Sequence, residues 1–231
     1  MSQSSGGLEI GLLLFPGVTQ LDLTGPYEVF ARLPGTAVHL IAKSLEPVRS
    51  DRGLGLMPTT TLGDCPPLDV IVVPGGPGQQ QLMEDAVVLG FLKLQAESAR
   101  YVTSVCTGAL VLGAAGLLRG YKATTHWLSL PLLPLFGAEP VEARIVVDRN
   151  RVTGGGVTAG IDFGLKLAAL LKGEAVAQRI QLQIEYDPEP PFRSGSPKTA
   201  PEEIVAAARR DGSRLQAERR EVCERLAAMR R

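Results

Sequence analysis

Cysteine is scarce in this chain. Its 231 residues include three, Cys65, Cys106 and Cys223, an odd number, widely spaced and without a Cys-x-x-Cys pair. That excludes a disulfide framework and a cysteine zinc site, and it suits a reducing compartment such as the cytoplasm. Histidine is scarcer still at two residues, so a Cys–His pairing has only His39 and His126 to draw on. An excess of one charge is also missing. Lys plus Arg total 24 and Asp plus Glu total 24, for a formal net charge of zero, which argues against a nucleic-acid partner and its usual basic stripe. No apolar run reaches the roughly 18–20 residues that a membrane helix needs. The opening "MSQSSGGLEIGLLLF" has no basic region ahead of its apolar stretch, which is short and reads as a strand, so no secretion signal is expected.

What is present is alternation. "LEIGLLLF" (8–15) reads as a buried first strand, followed by "LDLTGPYEVFARL", helical around and after Pro26 with the proline in a first turn. "AVHLIAK" is a second strand and "LGLMPTTTL" a hairpin or strand pair. "LDVIVVPGG" is a fully apolar strand ending in glycines, and "QLMEDAVVLGFLKLQAESA" one helix. A strand and a helix then meet at Cys106. "ATTHWLSLPLLPLF" reads as a short strand and a proline-interrupted helix, "RIVVDRNRVTGGG" as a hairpin, and two further helices follow. Continuous apolar strands alternating with helices imply one α/β domain, a three-layer sandwich around a mostly parallel sheet. Ligands in such folds bind beyond the carboxyl ends of the strands. After Tyr186 the composition turns Pro/Ser/Gly-rich, and a charged helical tail follows, with a break expected at Asp211-Gly212. That tail is either a surface helix with one packed face or a contact to a second subunit.

Ser104-Val105-Cys106-Thr107-Gly108 has the strand–turn–helix layout of a nucleophile elbow with cysteine in the nucleophile's place. Gly108 lets the helix start close to the strand. The Thr107 N–H is placed to face charge developing near Cys106, and Gly75-Gly76, ending a neighbouring strand, can offer a second N–H. The helix dipole predicts a lowered thiol pKa. The plain alternative is a buried, inert cysteine, which is also the expectation for Cys65 and Cys223. Asp22 follows the first strand and faces the same edge of the sheet. Apolar company there would raise its pKa and make it an acid, or it is simply a turn or helix cap. His126, beginning a helix at that edge, is either a base near Cys106 or a cap packed beside Trp127. His39, inside a strand, is expected to be structural.

Taken together, "FPGVTQLDLTGPYEVF", "DVIVVPGG", "SVCTGALVLGAAGLL" and "ATTHW" resemble the DJ-1/PfpI (ThiJ) superfamily. With "TGGG", "TAGIDF" and the Gly63–Pro67 segment added, they resemble its isonitrile hydratase (isocyanide hydratase) branch. The resemblance implies a flavodoxin-like fold over 1–197 with a helical extension over 198–231. It implies a homodimer without metal or organic cofactor, Cys106 as nucleophile, Asp22 as its carboxyl partner, Thr107 in the active site, and Gly75 and Gly76 as an oxyanion-type loop. Threonine after the cysteine departs from the protease members, which carry histidine there. The implied reaction is hydration of an isonitrile to an N-substituted formamide through a covalent thioimidate. A ligand- or redox-sensing protein and a glyoxalase-like thiol enzyme are the alternatives, and the short tail leaves little room for a helix-turn-helix pair.

Overall fold

The computed structural model describes residues 7–229. Its elements, in chain order, are β1 (Leu8–Leu13), α1 (Gln20–Phe30), β2 (Thr36–Ala42), β3 (Val48–Arg49), β4 (Gly55–Leu56), β5 (Thr60–Thr61), β6 (Val70–Val73), α2 (Gln79–Leu82), α3 (Ala86–Ala96), β7 (Tyr101–Val105), α4 (Gly108–Ala114) and β8 (Lys122–Ala123). A 3-10 segment (Trp127–Phe136) leads to β9 (Glu139–Pro140), β10 (Ile145–Asp148), β11 (Arg151–Gly154), α5 (Ala159–Lys172), α6 (Glu174–Gln183) and α7 (Glu202–Ala228).

The central sheet has seven strands in the order β10-β11-β7-β6-β1-β2-β5. Every pairing is parallel except the β10–β11 hairpin at one edge. The all-apolar reading of β6 is explained by its position, since all four of its residues are buried, with β1 on one side and β7 on the other. Helices cover the sheet on both faces: α1 and α5 pack together with α6 beside them, while α3, α4, the 3-10 segment and α7 form the other layer. Ile10, Leu12, Val70, Val72, Leu110 and Phe163 are among the fully buried core side chains.

Four local expectations changed. Pro26 lies inside α1, beyond its first turn, and its ring packs on Gly160 and Gly164 of α5, whose lack of side chains admits it. The helix expected over 81–99 is two helices, because Asp85 caps α3 by accepting from Val87 N–H (3.2 Å) and Val88 N–H (3.3 Å). The segment around Pro58 does not pair with itself; β4 pairs with β3, and β5 joins β2 in the main sheet. Finally, α7 runs unbroken through Asp211-Gly212, because it is held along one face by the 3-10 segment and α4.

Candidate active site

The strand order places the chemistry. β7, β6 and β1 are consecutive neighbours, and their carboxyl ends deliver Cys106, the Gly75-Gly76 loop and, through the start of α1, Asp22. The loops are tied to one another: Thr19 N–H donates to Gly75 O (2.9 Å) and Gly78 N–H to Gly17 O (3.2 Å). Residues 84 apart in sequence meet because parallel strands put all their exits on one edge.

Cys106 sits between β7 and α4 with φ 55°, in the left-handed region, at a cost on the order of 1 kcal/mol for a residue with a side chain. The backbone is pinned on both sides. Cys106 N–H donates to Gly154 O (3.0 Å), and Thr125 Oγ1 donates to Cys106 O (2.7 Å). Sequence reasoning missed Thr125; its signal was the Thr-Thr pair just before His126 at a strand end. The thiol is close to sealed, with 5% of the residue exposed.

Asp22 is wholly buried. Its Oδ2 accepts from Gly75 N–H (2.9 Å), while Oδ1 is buried without a nitrogen or oxygen partner. Burial pushes its pKa from 3.8 up to about 7, against the opposing pull of Gly75 N–H and the Cys106 thiol. Cys106 departs from expectation. Its pKa is raised well above 9, first by burial and next by the neighbouring Asp22 charge; the Thr107 N–H opposes this and is outweighed. The Thr107 amide acts in the direction expected of a helix N-terminus, but the loss of water on burial outweighs it. The two groups form one unit in which the sulfur holds its proton while Asp22 carries charge.

The loop glycines also serve differently from expectation. Gly75 N–H is spent on Asp22, and Gly76 N–H donates to Thr107 Oγ1 (3.1 Å). They position the acid and Thr107, and neither N–H is free for an oxyanion. His126 caps the 3-10 segment, its Nδ1 accepting weakly from Leu128 N–H (3.4 Å), and its ring lies 6.0 Å from that of Trp127. Burial lowers its pKa, and no hydrogen bond joins it to Cys106 among the described residues. His39 pairs with Glu9 (2.6 Å) between β2 and β1. The Cys65 thiol is pushed up to about 11 and Cys223 to about 12, both chiefly by burial.

A cavity of about 390 Å³ lies beside the elbow, lined by Thr125, His126, Trp127, Gly156, Val157 and Lys198. Another, of about 360 Å³, opens at the carboxyl ends of β1 and β2 between Phe15, Ala42, Arg49 and Leu82 and includes none of the reactive residues. A second residue that sequence reasoning missed is Arg219 of α7, 3% exposed and close enough to act electrostatically on Cys106. No group of three or more His, Cys, Asp or Glu side chains among the described residues is arranged to hold a metal ion. No helix among them is long and apolar enough to cross a membrane.

A flavodoxin-like sheet with a strained cysteine at the β7–α4 elbow and a protonatable carboxyl beside it defines a class of thiol-bearing α/β proteins. The sequence profile of the DJ-1/PfpI family matches residues 9–170, and the chain belongs to that family. A Pseudomonas putida protein named isonitrile hydratase is 60% identical over 221 residues, spanning 96% of this chain and 97% of that one. The crystal structure of a ThiJ/PfpI family protein from Pseudomonas syringae superposes with a TM-score of 0.92 at 47% identity, covering 94% of this chain and 91% of the other. The Pseudomonas aeruginosa regulator GbdR, named an HTH-type transcriptional regulator, is 30% identical over 193 residues, 80% of this chain but 52% of that one.

Proposed function

We propose that this chain is an isonitrile hydratase, converting R–N≡C and water to R–NH–CHO. The observation that carries the reading is the buried Asp22–Cys106 pair: a carboxyl whose pKa is raised to about 7 beside an elbow cysteine. The 60% identity to the Pseudomonas putida hydratase along nearly the whole of both chains supports it. An isonitrile also fits a sulfur that is 5% exposed, because its –N≡C end is a two-atom rod.

The pair supplies what the reaction needs. Above about pH 7 the pair has lost one proton, and the two groups share the one that remains. With that proton on Asp22, the Cys106 thiolate adds to the terminal carbon, Asp22 gives its proton to the same carbon, and a thioimidate R–N=CH–S–Cys106 results. Asp22, now ionised, takes a proton from water as the hydroxide adds to that carbon, and returns the proton to nitrogen. When the C–S bond breaks, Asp22 accepts the hydroxyl proton, the formamide leaves, and the thiolate with its protonated partner is restored. Thr107, whose N–H faces the sulfur, and the Gly75–Gly76 loop hold this geometry. We assign residues 1–197 to the DJ-1/PfpI-like domain and 198–231 to a helical extension, and place the enzyme in the cytoplasm as a homodimer.

The test is mass detection of formamide from a small alkyl isonitrile, with methylglyoxal as the competing substrate. Wild type forms formamide; Cys106→Ser and Cys106→Ala do not, and Asp22→Asn falls by about 10²–10⁴-fold, the usual contribution of a positioned acid–base group. Full turnover by Cys106→Ala overturns the mechanism. Turnover of methylglyoxal in place of the isonitrile transfers the site to glyoxalase-like chemistry.

A further inference from the structure

We propose that Arg219, from the C-terminal helix, sets where the proton shared by Asp22 and Cys106 resides, favouring the arrangement in which the sulfur is the anion. The inference rests on the hydratase reading for its purpose and on separate observations for its substance.

Arg219 is 3% exposed. Arginine stays charged at any pH the protein meets, and burying such a charge costs several kcal/mol unless an anion answers it. No carboxylate forms an ion pair with Arg219 among the described residues. Its Nη1 donates to Ser129 Oγ (3.2 Å), a neutral partner, and its Nε is buried with no partner. The elements around it are fastened in place. Ser129 Oγ donates to Gln216 Oε1 (3.1 Å), Gln80 Nε2 to Leu215 O (3.4 Å), and Arg225 pairs with Glu84 (2.7 Å). These contacts hold α7 over the 3-10 segment and over the α2 turn that follows the Gly75–Gly76 loop, and α7 also packs on α4, the helix that begins just after Cys106.

The charged and titratable groups facing this region are few. Asp22 reaches Cys106 from α1 with Asp51 acting on its far side, His126 faces Arg219 from the start of the 3-10 segment, and Cys223 lies one turn further along α7 with Arg220 and Glu224 near it. His126 is held neutral by burial and by Arg219 itself, and Cys223 keeps its proton. The anion available to answer Arg219 is therefore the Asp22–Cys106 pair. The guanidinium interacts with the sulfur end of that pair, opposing the burial and the Asp22 charge that keep the thiol protonated. Moving the proton from sulfur to Asp22 creates the thiolate–acid form that the addition step uses, and it does so without changing the net charge of the pair.

The experiment titrates Cys106 through the ultraviolet absorbance of its thiolate, read as the difference between each protein and its Cys106→Ser counterpart, so that Cys65 and Cys223 cancel. Arg219→Met keeps the apolar stem and removes the charge; Arg219→Lys keeps the charge. The expected result is a midpoint at least one pH unit higher in Arg219→Met, equivalent to about tenfold less thiolate at a given pH. Arg219→Lys should return most of it, and the alkaline limb of the kcat/KM profile should move in parallel. An unchanged midpoint in Arg219→Met overturns the proposal, whatever happens to its melting temperature, because a purely structural arginine alters folding and not the thiol. Should the methionine variant not fold, Arg219→Gln, which keeps a donor for Ser129, carries the same criterion. The titration uses no isonitrile, so a wild type that fails to make formamide sinks the hydratase reading and leaves this result to stand or fall alone.

Discussion

At Gly108 a single hydrogen decides whether the elbow can form. A Cβ there would fall on the carbonyl of Val73 and crowd that of Pro74, so α4 can begin against β6 only where the side chain is absent. These are backbone atoms of a buried strand and cannot step aside. Gly108→Ala is therefore expected to cost about 3 kcal/mol or more, read as a fall in the urea midpoint or as failure to accumulate folded protein; a variant of wild-type stability would mean that α4 can slide. Gly75 is constrained in the same way by the site itself, since a Cβ would lie 2.6 Å from Thr107 N and Oγ1 and 2.8 Å from Asp22 Oδ2. The loop carries glycine so that its amide can reach the Asp22 carboxyl. These residues were legible because steric and hydrogen-bonding demands act on near neighbours in sequence: Ser-Val-Cys-Thr-Gly marks an elbow by itself. The state of the thiol was not legible, because it depends on how much water the completed fold removes.

At the scale of elements, α7 shows what a local pattern misses. Its sparse apolar residues and the Asp211-Gly212 pair read as a broken surface tail, yet one face carries Gly212, Gln216, Arg219 and Cys223 inward at helical spacing. The arginine in that series hid the pattern, because a charged residue on a buried face reads as a solvated one until its surroundings are known. Gly212 offers a direct check. It sits in the middle of a 27-residue helix, where glycine costs about 1 kcal/mol relative to alanine. An added Cβ would meet only the tip of Leu128, at 3.1 Å to Cδ1, a side-chain end that can shift by a few tenths of an ångström. Gly212→Ala is expected to stabilise the protein by somewhat less than about 1 kcal/mol, seen as a raised melting temperature. A loss instead would show that the α7 contact with the 3-10 segment is too tight to yield. The strands were the easier reading. β6 announces itself as an unbroken apolar run because both of its faces are covered, and β1 and β7 are mostly apolar or β-branched with few interruptions, whereas β3, β4 and β8, two residues each, carry no periodicity to detect.

At the scale of the whole molecule, the site places a charge where the core would prefer none, and folding stability should register it. Asp22 titrates near 3.8 when unfolded and at about 7 when folded. Between those values the folded protein binds a proton that the unfolded chain has released, so stability contributed by this group is complete below pH ~4 and is lost as pH rises through about 7. A difference of about three pKa units corresponds to roughly 4 kcal/mol. Asparagine in its place keeps the acceptor for Gly75 N–H and removes the titration. The stability gap of Asp22→Asn over wild type, from urea unfolding, should therefore be small at pH 4 and widen toward pH 8, with the variant the more stable. Other titrating groups do not imitate this. His126, whose pKa is lowered, weakens both proteins equally as the pH falls below its unfolded value, and the upward push of burial on the Cys106 thiol is present in both. A gap that stays flat from pH 4 to pH 8 would mean that water reaches the carboxyl, and the acid that the proposed proton transfers require would be an ordinary ionised aspartate.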